Sequence, residues 1–278
     1  MSWLLQPLQY AFMVRGLLAS VMVGVLCAVM GTYVVLRGMA FLGDAMAHAI
    51  LPGVAIAYLL HGNLLAGALI AAVVVALSIG FVSRGGTVRE DTAIGILFAA
   101  ALALGVALIS SIQTYAVDLT HILFGNVLGV SASDLWLTAG LGLFVLAVVA
   151  IHFKQFLVIS FDPILAATLR LPSELLRNLM LGLLALTVVV SLQTVGVGLS
   201  AAMLVTPAAT AYLLTRRLLP MMLVSAAVGA AASLLGLYLS YYLNIVSGSA
   251  IVLTATGIFL LTFLFNPRQG VVWRLVRR

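Results

Sequence analysis

Nine apolar runs, each near the length of a membrane span, account for most of the sequence. They cover approximately residues 11–36, 44–60, 64–83, 92–113, 134–153, 177–195, 198–215, 221–243 and 249–266. A helix needs about 20 apolar residues to cross the hydrocarbon core of a bilayer. The runs are continuous, whereas the strands of a membrane barrel alternate polar and apolar residues. We therefore expect an all-α protein, a polytopic transmembrane helical bundle with eight or nine membrane segments.

The composition supports a protein embedded in lipid. Hydrophobic residues make up 64% of the chain and charged residues only 7%, whereas soluble domains carry about 25% charged residues. The net charge of +6 could indicate a nucleic-acid-binding protein. However, the basic residues lie in short connections between the runs, which is the pattern that orients a membrane protein. We therefore expect a lipid bilayer, and no nucleic acid, as a partner.

Lysine and arginine mark alternate connections. They occur in the connections after the third, fifth and seventh runs and in the tail 267–278: Arg84, Arg89, Lys154, Arg170, Arg177, Arg216, Arg217, Arg268, Arg274, Arg277 and Arg278. Arg15 and Arg37 flank the first run and do not fix the side of the N-terminus. The connections 61–63, 114–133, 195–198 and 244–248 contain no lysine or arginine. The positive-inside rule then places the C-terminus in the cytoplasm. Nine spans would put the N-terminus outside, and eight would put it inside.

We interpret residues 1–278 as a single transmembrane domain. Two of its connections are longer than a plain turn requires, an outer loop at 114–133 and a cytoplasmic loop at 154–177. The cytoplasmic tail covers residues 267–278.

One apolar run contains two ionisable residues. Asp44 and His48 are four residues apart, so a helix would place both on one face. An ionisable group at the centre of a membrane helix costs about 2.5–3.5 kcal/mol on insertion scales, so it is rarely without a role. A carboxylate and a neutral imidazole can bind manganese, iron or zinc. Pro52 and Gly53 follow in the same run, which predicts a broken or partly re-entrant helix.

The outer loop contains a second acid–histidine pair. Asp118 and His121 have the i,i+3 spacing of a helix. The loop is half apolar, which favours a surface helix at the membrane interface. An entry vestibule or lid over a transport pathway is the other interpretation.

The cytoplasmic loop predicts a short helix. Asp162 can cap it, Pro163 suits its first position, and Pro172 limits it to about two turns. Such a helix could receive force from a soluble motor protein, or it could be a structural connector. Ser173 and Glu174 then begin the next span.

Small residues and acids elsewhere predict structural roles. Gly229, Ser233, Gly236 and Ser240 lie at helical spacing, which favours close packing of helices in lipid. Glu90 and Asp91 precede a span, where acids stabilise a helix N-terminus.

Several catalytic motifs are absent from the sequence. Lys154 is the only lysine and does not lie in a phosphate-binding loop, so we do not expect this chain to hydrolyse ATP by that route. There is no His-Glu-x-x-His motif of a zinc protease. Cys27 is the only cysteine, which excludes an internal disulfide. We therefore expect a non-catalytic chain without a bound cofactor of its own.

Several stretches together resemble the membrane permeases of bacterial manganese, zinc and iron ABC importers. They are Leu36–Ala57, Asp91–Ile96, Asp118–Asn126, Ser160–Pro163, Ala202–Tyr212 and Ser247–Ala255. The resemblance extends from about residue 12 to residue 267, and the manganese branch is the most similar, particularly at Asp118–Asn126. Mn²⁺ is therefore the transported metal that the resemblance implies.

The resemblance also implies partners and site residues. A second copy of the permease, two copies of a separate ABC ATPase and an extracytoplasmic metal-binding protein would complete the importer, in the bacterial cytoplasmic (inner) membrane. Asp44 and His48 match the residues proposed to bind metal. The coupling helix that docks into the ATPase would include Phe161, Asp162, Pro163, Ala166, Ala167, Leu171 and Pro172. Leu171 stands where many relatives carry glycine, and we expect this to alter the end of that helix.

Alternatives remain at this point. Asp44 and His48 could form a buried hydrogen-bonded pair that joins two helices. Two ligands are too few for a divalent ion that prefers about six, so a second subunit, or water and backbone carbonyls near Pro52, would have to add more. Zn²⁺ or Fe²⁺ could replace Mn²⁺ as cargo. An ion-coupled secondary transporter and an intramembrane enzyme are the other function classes.

Overall fold

The computed structural model describes residues 6–84, 87–111 and 127–266. Every regular element in these ranges is helical, which confirms the expected all-α bundle. The α-helices, numbered in chain order, are α1 Ala11–Leu36, α2 Leu42–Ala49, α3 Leu51–Leu59, α4 Leu64–Val82, α5 Glu90–Ser110, α6 Ala132–Ile151, α7 Phe153–Phe161, α8 Pro163–Thr168, α9 Ser173–Val195, α10 Val197–Leu214, α11 Leu218–Leu243 and α12 Ser247–Phe265. Single 3₁₀ turns, Pro7–Gln9 and Val127–Gly129, precede α1 and α6.

The predicted number of membrane segments is confirmed. Eight helical segments within the described ranges are long and apolar enough to cross a membrane, with α2 and α3 counted together as Leu42–Leu59. A shorter apolar helix, Gly198–Leu214, lies within α10. Most of the outer loop and the whole tail 267–278 lie outside the described residues.

The bundle is organised around α1, the α2–α3 segment and α9. About two thirds of the apolar window of each is buried, compared with 17% in α5 and in α12. Glycines let neighbouring backbones approach α1 closely: a Cβ on Gly31 would overlap the carbonyl oxygen of Leu204 on α10. Because lipid gives no hydrophobic drive for helix association, such contacts and interhelical hydrogen bonds hold the bundle together.

The stripe of small residues on α11 packs against α1 and α12, as predicted. Gly229 meets Gly24 of α1 backbone to backbone, and the Ser233 hydroxyl donates a 2.9 Å hydrogen bond to the Ser20 carbonyl. Gly236 lies against Ile251 of α12. The stripe therefore has a packing role.

One end of the bundle collects arginines and is called the basic end below. Arg37 follows α1 and contacts Glu90 at the start of α5, and Arg84 after α4 contacts Glu174 at the start of α9. Since α11 runs antiparallel to α1, Arg217 before α11 lies at this end too. The charge pattern of the sequence therefore corresponds to one physical end of the molecule.

The broken helix that the sequence predicts is present. Helix α2 ends at Ala49 and α3 begins at Leu51, because Pro52 has no backbone N–H to continue the helical hydrogen bonds. Helix α3 then forms a hairpin with α4, in which the backbones meet at Gly53 and Gly67. The break thus separates the segment that carries Asp44 and His48 from a tightly packed hairpin.

The cytoplasmic loop predicted at 154–177 is more helical than expected. Helix α7 begins at Phe153, and only His152 separates it from the end of α6 at Ile151. Phe156 of α7 is fully buried and meets the Tyr33 ring edge-on, with ring centroids 5.7 Å apart. Burial of this ring holds α7 beside α1 and makes it part of the core. Helix α9 starts at Ser173, where Ser173 and Glu174 predict that the span begins.

Candidate metal pathway and coupling surface

Asp44 and His48 lie on one turn of α2, as their spacing predicts. The His48 Nδ1 atom is 3.7 Å from the Asp44 carboxylate and 3.0 Å from the Asp44 backbone carbonyl oxygen. A carbonyl oxygen only accepts, so the nitrogen must donate and carry the proton. In a neutral imidazole the other nitrogen, Nε2, then holds the free lone pair. The helix backbone thus fixes the tautomer suited to bind a metal ion.

The pair lies well inside the bundle along its axis. The His48 ring meets the Phe98 ring edge-on, with centroids 6.0 Å apart. Phe98 is about 12 Å from the Glu90 end of α5 at 1.5 Å per residue. On its other flank, α2 packs against α10, where Gly43 contacts Leu204. Leu204 lies about 15 Å along the helix from Leu214, the last residue of α10. Both estimates place the pair near mid-depth.

The pair is accessible in the single chain. The side chain of Asp44 is 48% exposed and that of His48 is 31% exposed. The alternative interpretation is a buried pair that joins two helices. It does not fit, because within the described residues neither side chain forms a hydrogen bond or an ion pair with a helix other than α2. No group of three or more His, Cys, Asp and Glu side chains that could hold a metal lies in the described ranges.

Asp118 and His121 lie outside the described residues. The vestibule or surface-helix interpretation of the outer loop therefore stays a prediction. His61 is exposed on the turn after α3 and has a positive φ of 51°. It lies at the opposite end of the α3 helix from the pair.

The short helix that the sequence predicts between Asp162 and Pro172 is present as α8. The Asp162 carboxylate accepts a 2.9 Å hydrogen bond from the Leu165 backbone N–H, and Pro163 is the first residue of the helix. Ala166 is fully buried and faces the bundle, while Phe161 and Ala167 are exposed. Ile164 and Leu169 are also exposed, by 80% and 55%.

The end of α8 differs from the expectation at Leu171. Arg170 adopts the left-handed backbone conformation, with φ 52°. Its N–H donates to the Ala167 carbonyl, and the Leu171 N–H donates to the Ala166 carbonyl, which is the Schellman pattern of a helix end. The position that favours glycine is therefore residue 170, and Leu171 is free to pack against the core. Exposed Pro172 then leads into α9.

A buried ion cluster at the basic end was missed by sequence reasoning. The Glu90 carboxylate accepts a 3.1 Å hydrogen bond from Arg37 and lies 3.8 Å from Nε of Arg177. The three side chains are only 14–21% exposed. Burial lowers the pKa of Arg37 from its ordinary value, and the nearby Glu90 carboxylate opposes this. Glu90 thus joins three helices, in addition to its place in the first turn of α5.

A cavity of about 230 Å³ adjoins this cluster. It is lined by Arg37, Ile159, Ala166, Ser173, Glu174 and Arg177. These residues come from the end of α1 and from α7, α8 and α9. The signal that sequence analysis could have used is an acid at the start of a span with several arginines nearby.

Comparison with known proteins identifies the sequence family. The sequence model described as the ABC 3 transport family matches residues 9–266. The manganese transport system membrane protein MntC of Halalkalibacterium halodurans is 47% identical over 98% of this chain and 93% of its own length. The manganese import system permease protein ScaB of Streptococcus gordonii is 42% identical, over 96% of each chain.

A solved structure has the same fold. The structure of PsaBC from Streptococcus pneumoniae in complex with Fab contains a chain that matches with a TM-score of 0.84 and 39% identity. The match covers 99% of this chain and 98% of that chain. The arrangement of helices described above is thus shared along the full length of an experimentally solved protein.

Proposed function

Because the chain belongs to the ABC 3 transport family, we propose that it is the permease subunit of an ATP-driven importer with Mn²⁺ as its cargo. The observation that carries this proposal is the accessible Asp44–His48 pair near mid-depth in a broken helix. A half-exposed carboxylate at this depth is costly in lipid, so it must face a polar route, a metal or a partner protein.

The ligand types agree with the proposed cargo. The Asp44 carboxylate and Nε2 of His48 suit Mn²⁺, Fe²⁺ and Zn²⁺ alike. The names of the two relatives, both manganese transport proteins, favour Mn²⁺ among these. Zn²⁺ and Fe²⁺ are the alternative cargoes, and uptake measurements distinguish them.

A second copy of this chain would complete the metal site. Two side chains are too few ligands for a divalent ion, and both are accessible from outside the protomer. A two-fold axis beside α2 would bring two carboxylates and two imidazoles together. The alternative is a site within one subunit, completed by water and by carbonyls near Pro52. Metal counting separates the two: one ion per dimer supports the shared site, and two ions per dimer contradict it.

The basic end would face the cytoplasm and receive the ATPase. The positive-inside rule gives this orientation and places the N-terminus outside if all nine segments cross. Exposed apolar residues on and beside α8, namely Phe161, Ile164 and Leu169, form a surface suited to a protein partner. Two copies of an ABC ATPase would dock there and supply ATP hydrolysis. An extracytoplasmic metal-binding protein would deliver metal at the opposite end, where Asp118 and His121 could line the entrance.

Metal accumulation in cells tests this function. Cells that express the chain with its ATPase and binding protein should accumulate Mn²⁺, and Asp44→Ala and His48→Ala should lower uptake at least about tenfold. His61→Ala is the matched control, since it removes an exposed histidine and should leave uptake unchanged. Amounts of each variant in the membrane must be equal.

Three outcomes would contradict the proposal or part of it. Full uptake in both variants would make the pair structural and move the search to Asp118 and His121. Uptake that continues without ATP hydrolysis would indicate a secondary transporter. A clear preference for Zn²⁺ or Fe²⁺ would replace the cargo but retain the permease role.

A further inference from the structure

The geometry points to Glu90, with Arg37 and Arg177, as the link that carries motion of the coupling helix to the metal-binding helix. This inference rests on the proposed function, in which α8 receives movement from the ATPase. Its three residues are positioning residues, because none of them contacts the metal pair. We call them the Glu90 cluster.

The first step is the path along the chain. Arg37 lies directly after α1, and the connection from Arg37 to α2 is only five residues long. Glu90 is the first residue of α5, the helix whose Phe98 ring contacts His48. Two of the three cluster residues are therefore attached to elements that position the metal pair.

The second step is the connection to α8. Arg177 lies in the second turn of α9, and α9 starts after the short connection that follows α8. The Arg177 Nη2 atom also donates a 2.7 Å hydrogen bond to the Gly80 carbonyl of α4. A displacement of α8 therefore pulls on the start of α9, and the Arg177 side chain connects that start to α4 and to Glu90.

The third step is the character of the contact. The cluster has two guanidinium groups around one carboxylate and is largely buried, so the Glu90 carboxylate cannot lose both partners without being left as an unpaired buried charge. A contact of this kind resists separation of its helices. The Arg177 Nε atom is buried without a hydrogen-bond partner. Arg177 therefore contacts Glu90 through an ion pair at 3.8 Å rather than through a hydrogen bond.

The fourth step is the space beside the cluster. The cavity lies between buried Ala166 of α8 and the side chains of Arg37 and Arg177. Because interiors are otherwise close-packed, this volume lets α8 approach the cluster without a clash. Movement there would change the distances between Glu90 and its two arginines.

A reconstituted complex with the partner ATPase tests the inference. Mn²⁺ transported per ATP hydrolysed is measured for the wild type, Glu90→Gln and Arg84→Gln. Arg84 provides the matched control, because it also forms an ion pair at the basic end, both side chains of that pair are more than half exposed, and Arg84 does not line the cavity. We expect Glu90→Gln to keep ATP hydrolysis and to lower the Mn²⁺-to-ATP ratio at least about tenfold, with Arg84→Gln within about twofold of the wild type. An unchanged ratio in Glu90→Gln, or an equal loss in both variants, would overturn the inference.

A second variant addresses folding. Arg37→Gln leaves Glu90 paired with Arg177, so it avoids an unpaired buried carboxylate. We expect it to assemble normally and to lower the Mn²⁺-to-ATP ratio as Glu90→Gln does. Normal coupling in Arg37→Gln would also overturn the inference.

A readout without metal separates this inference from the proposed function. Ala40 is exposed in the connection between Arg37 and α2, and the native Cys27 is fully buried, so maleimide should react selectively with an Ala40→Cys variant. Its reaction rate should differ between nucleotide-free and vanadate-trapped complexes, and Glu90→Gln should abolish the difference. A rate difference in a complex that transports no Mn²⁺ would contradict Mn²⁺ as the cargo but would still support the Glu90 cluster as the link between α8 and α2. No difference in the otherwise wild-type complex, or a difference that survives Glu90→Gln, would reject the link.

Discussion

At the scale of single residues, Phe98 is the neighbour that positions the His48 ring. Its ring meets the imidazole edge-on and also meets Phe41 edge-on, at 5.4 Å between centroids. We expect Phe98→Leu to raise the Mn²⁺ concentration needed for half-maximal uptake by about tenfold, as loss of a supporting residue does at metal sites. Maximal uptake should change less. The measurement is the concentration dependence of uptake, with Phe144→Leu, at an exposed ring on α6, as the control. A changed maximum with an unchanged half-maximal concentration would contradict this role.

Gly31 is the residue at which backbone contact is closest. A Cβ there would overlap the Leu204 carbonyl oxygen, whereas a Cβ on Gly182 of α9 would meet nothing within 4 Å. We expect Gly31→Ala to destabilise the protein by about 3 kcal/mol, because α1 and α10 must separate. Gly182→Ala should be neutral or slightly stabilising, since alanine favours helix. Thermal unfolding in detergent measures both, and equal Tm values would contradict the contact.

At the scale of elements, the helix bounds could largely be predicted from the sequence. Apolar runs identify spans because only a helix satisfies its own backbone in lipid, and Pro52 predicts the break between α2 and α3. The bounds of α7 could not be predicted, since polar Lys154 and Gln155 indicate the start of a loop. The burial of Phe156 against Tyr33 depends on tertiary packing, which helical spacing does not reveal. The Asp44–His48 geometry could be predicted because it is local to one helical turn.

Asp162 determines how well α8 is formed. Its carboxylate caps the helix at the Leu165 N–H, and loss of such a cap costs about 1 kcal/mol. We expect Asp162→Ala to increase hydrogen exchange at the Leu165 amide and to lower ATP-driven uptake several-fold. Asp162→Asn keeps a capping oxygen, so it should behave nearly as the wild type. Equal exchange in both variants would mean that the cap does not stabilise α8.

At the scale of the whole molecule, the basic end predicts an orientation that chemical labelling can check. Leu60 at the end of α3 is 75% exposed, and Thr87 is exposed in the connection between α4 and α5, at the opposite end of the bundle. In intact cells, an impermeant maleimide should react with Leu60→Cys. It should react with Thr87→Cys only after permeabilisation. Buried Cys27 gives no background. The reverse labelling pattern would mean that the basic end faces the outside of the cell, and this would contradict the proposed docking of the ATPase there.

The Glu90 cluster shows what sequence alone does not provide at this scale. Arg37 and Glu90 are 53 residues apart along the chain, and 13 basic residues compete as partners for seven acids. Helical spacing relates only residues within a few turns of one another, so it contains no information on which arginine meets which acid. The charges could be assigned to one end from sequence, but their pairing depends on the packing of α1, α5 and α9.

The attachment of α8 has a consequence for the diversification of transporters. This helix packs mainly on α7 and α9 and buries little beyond Ala166, so its exposed residues can change without disturbing the core. With the ATPase docking on α8 as proposed, new ATPase preferences can evolve in about ten residues while the proposed metal site stays constant. A chimera that exchanges residues 162–171 with those of a relative should inherit the relative's choice of motor and keep its own cargo.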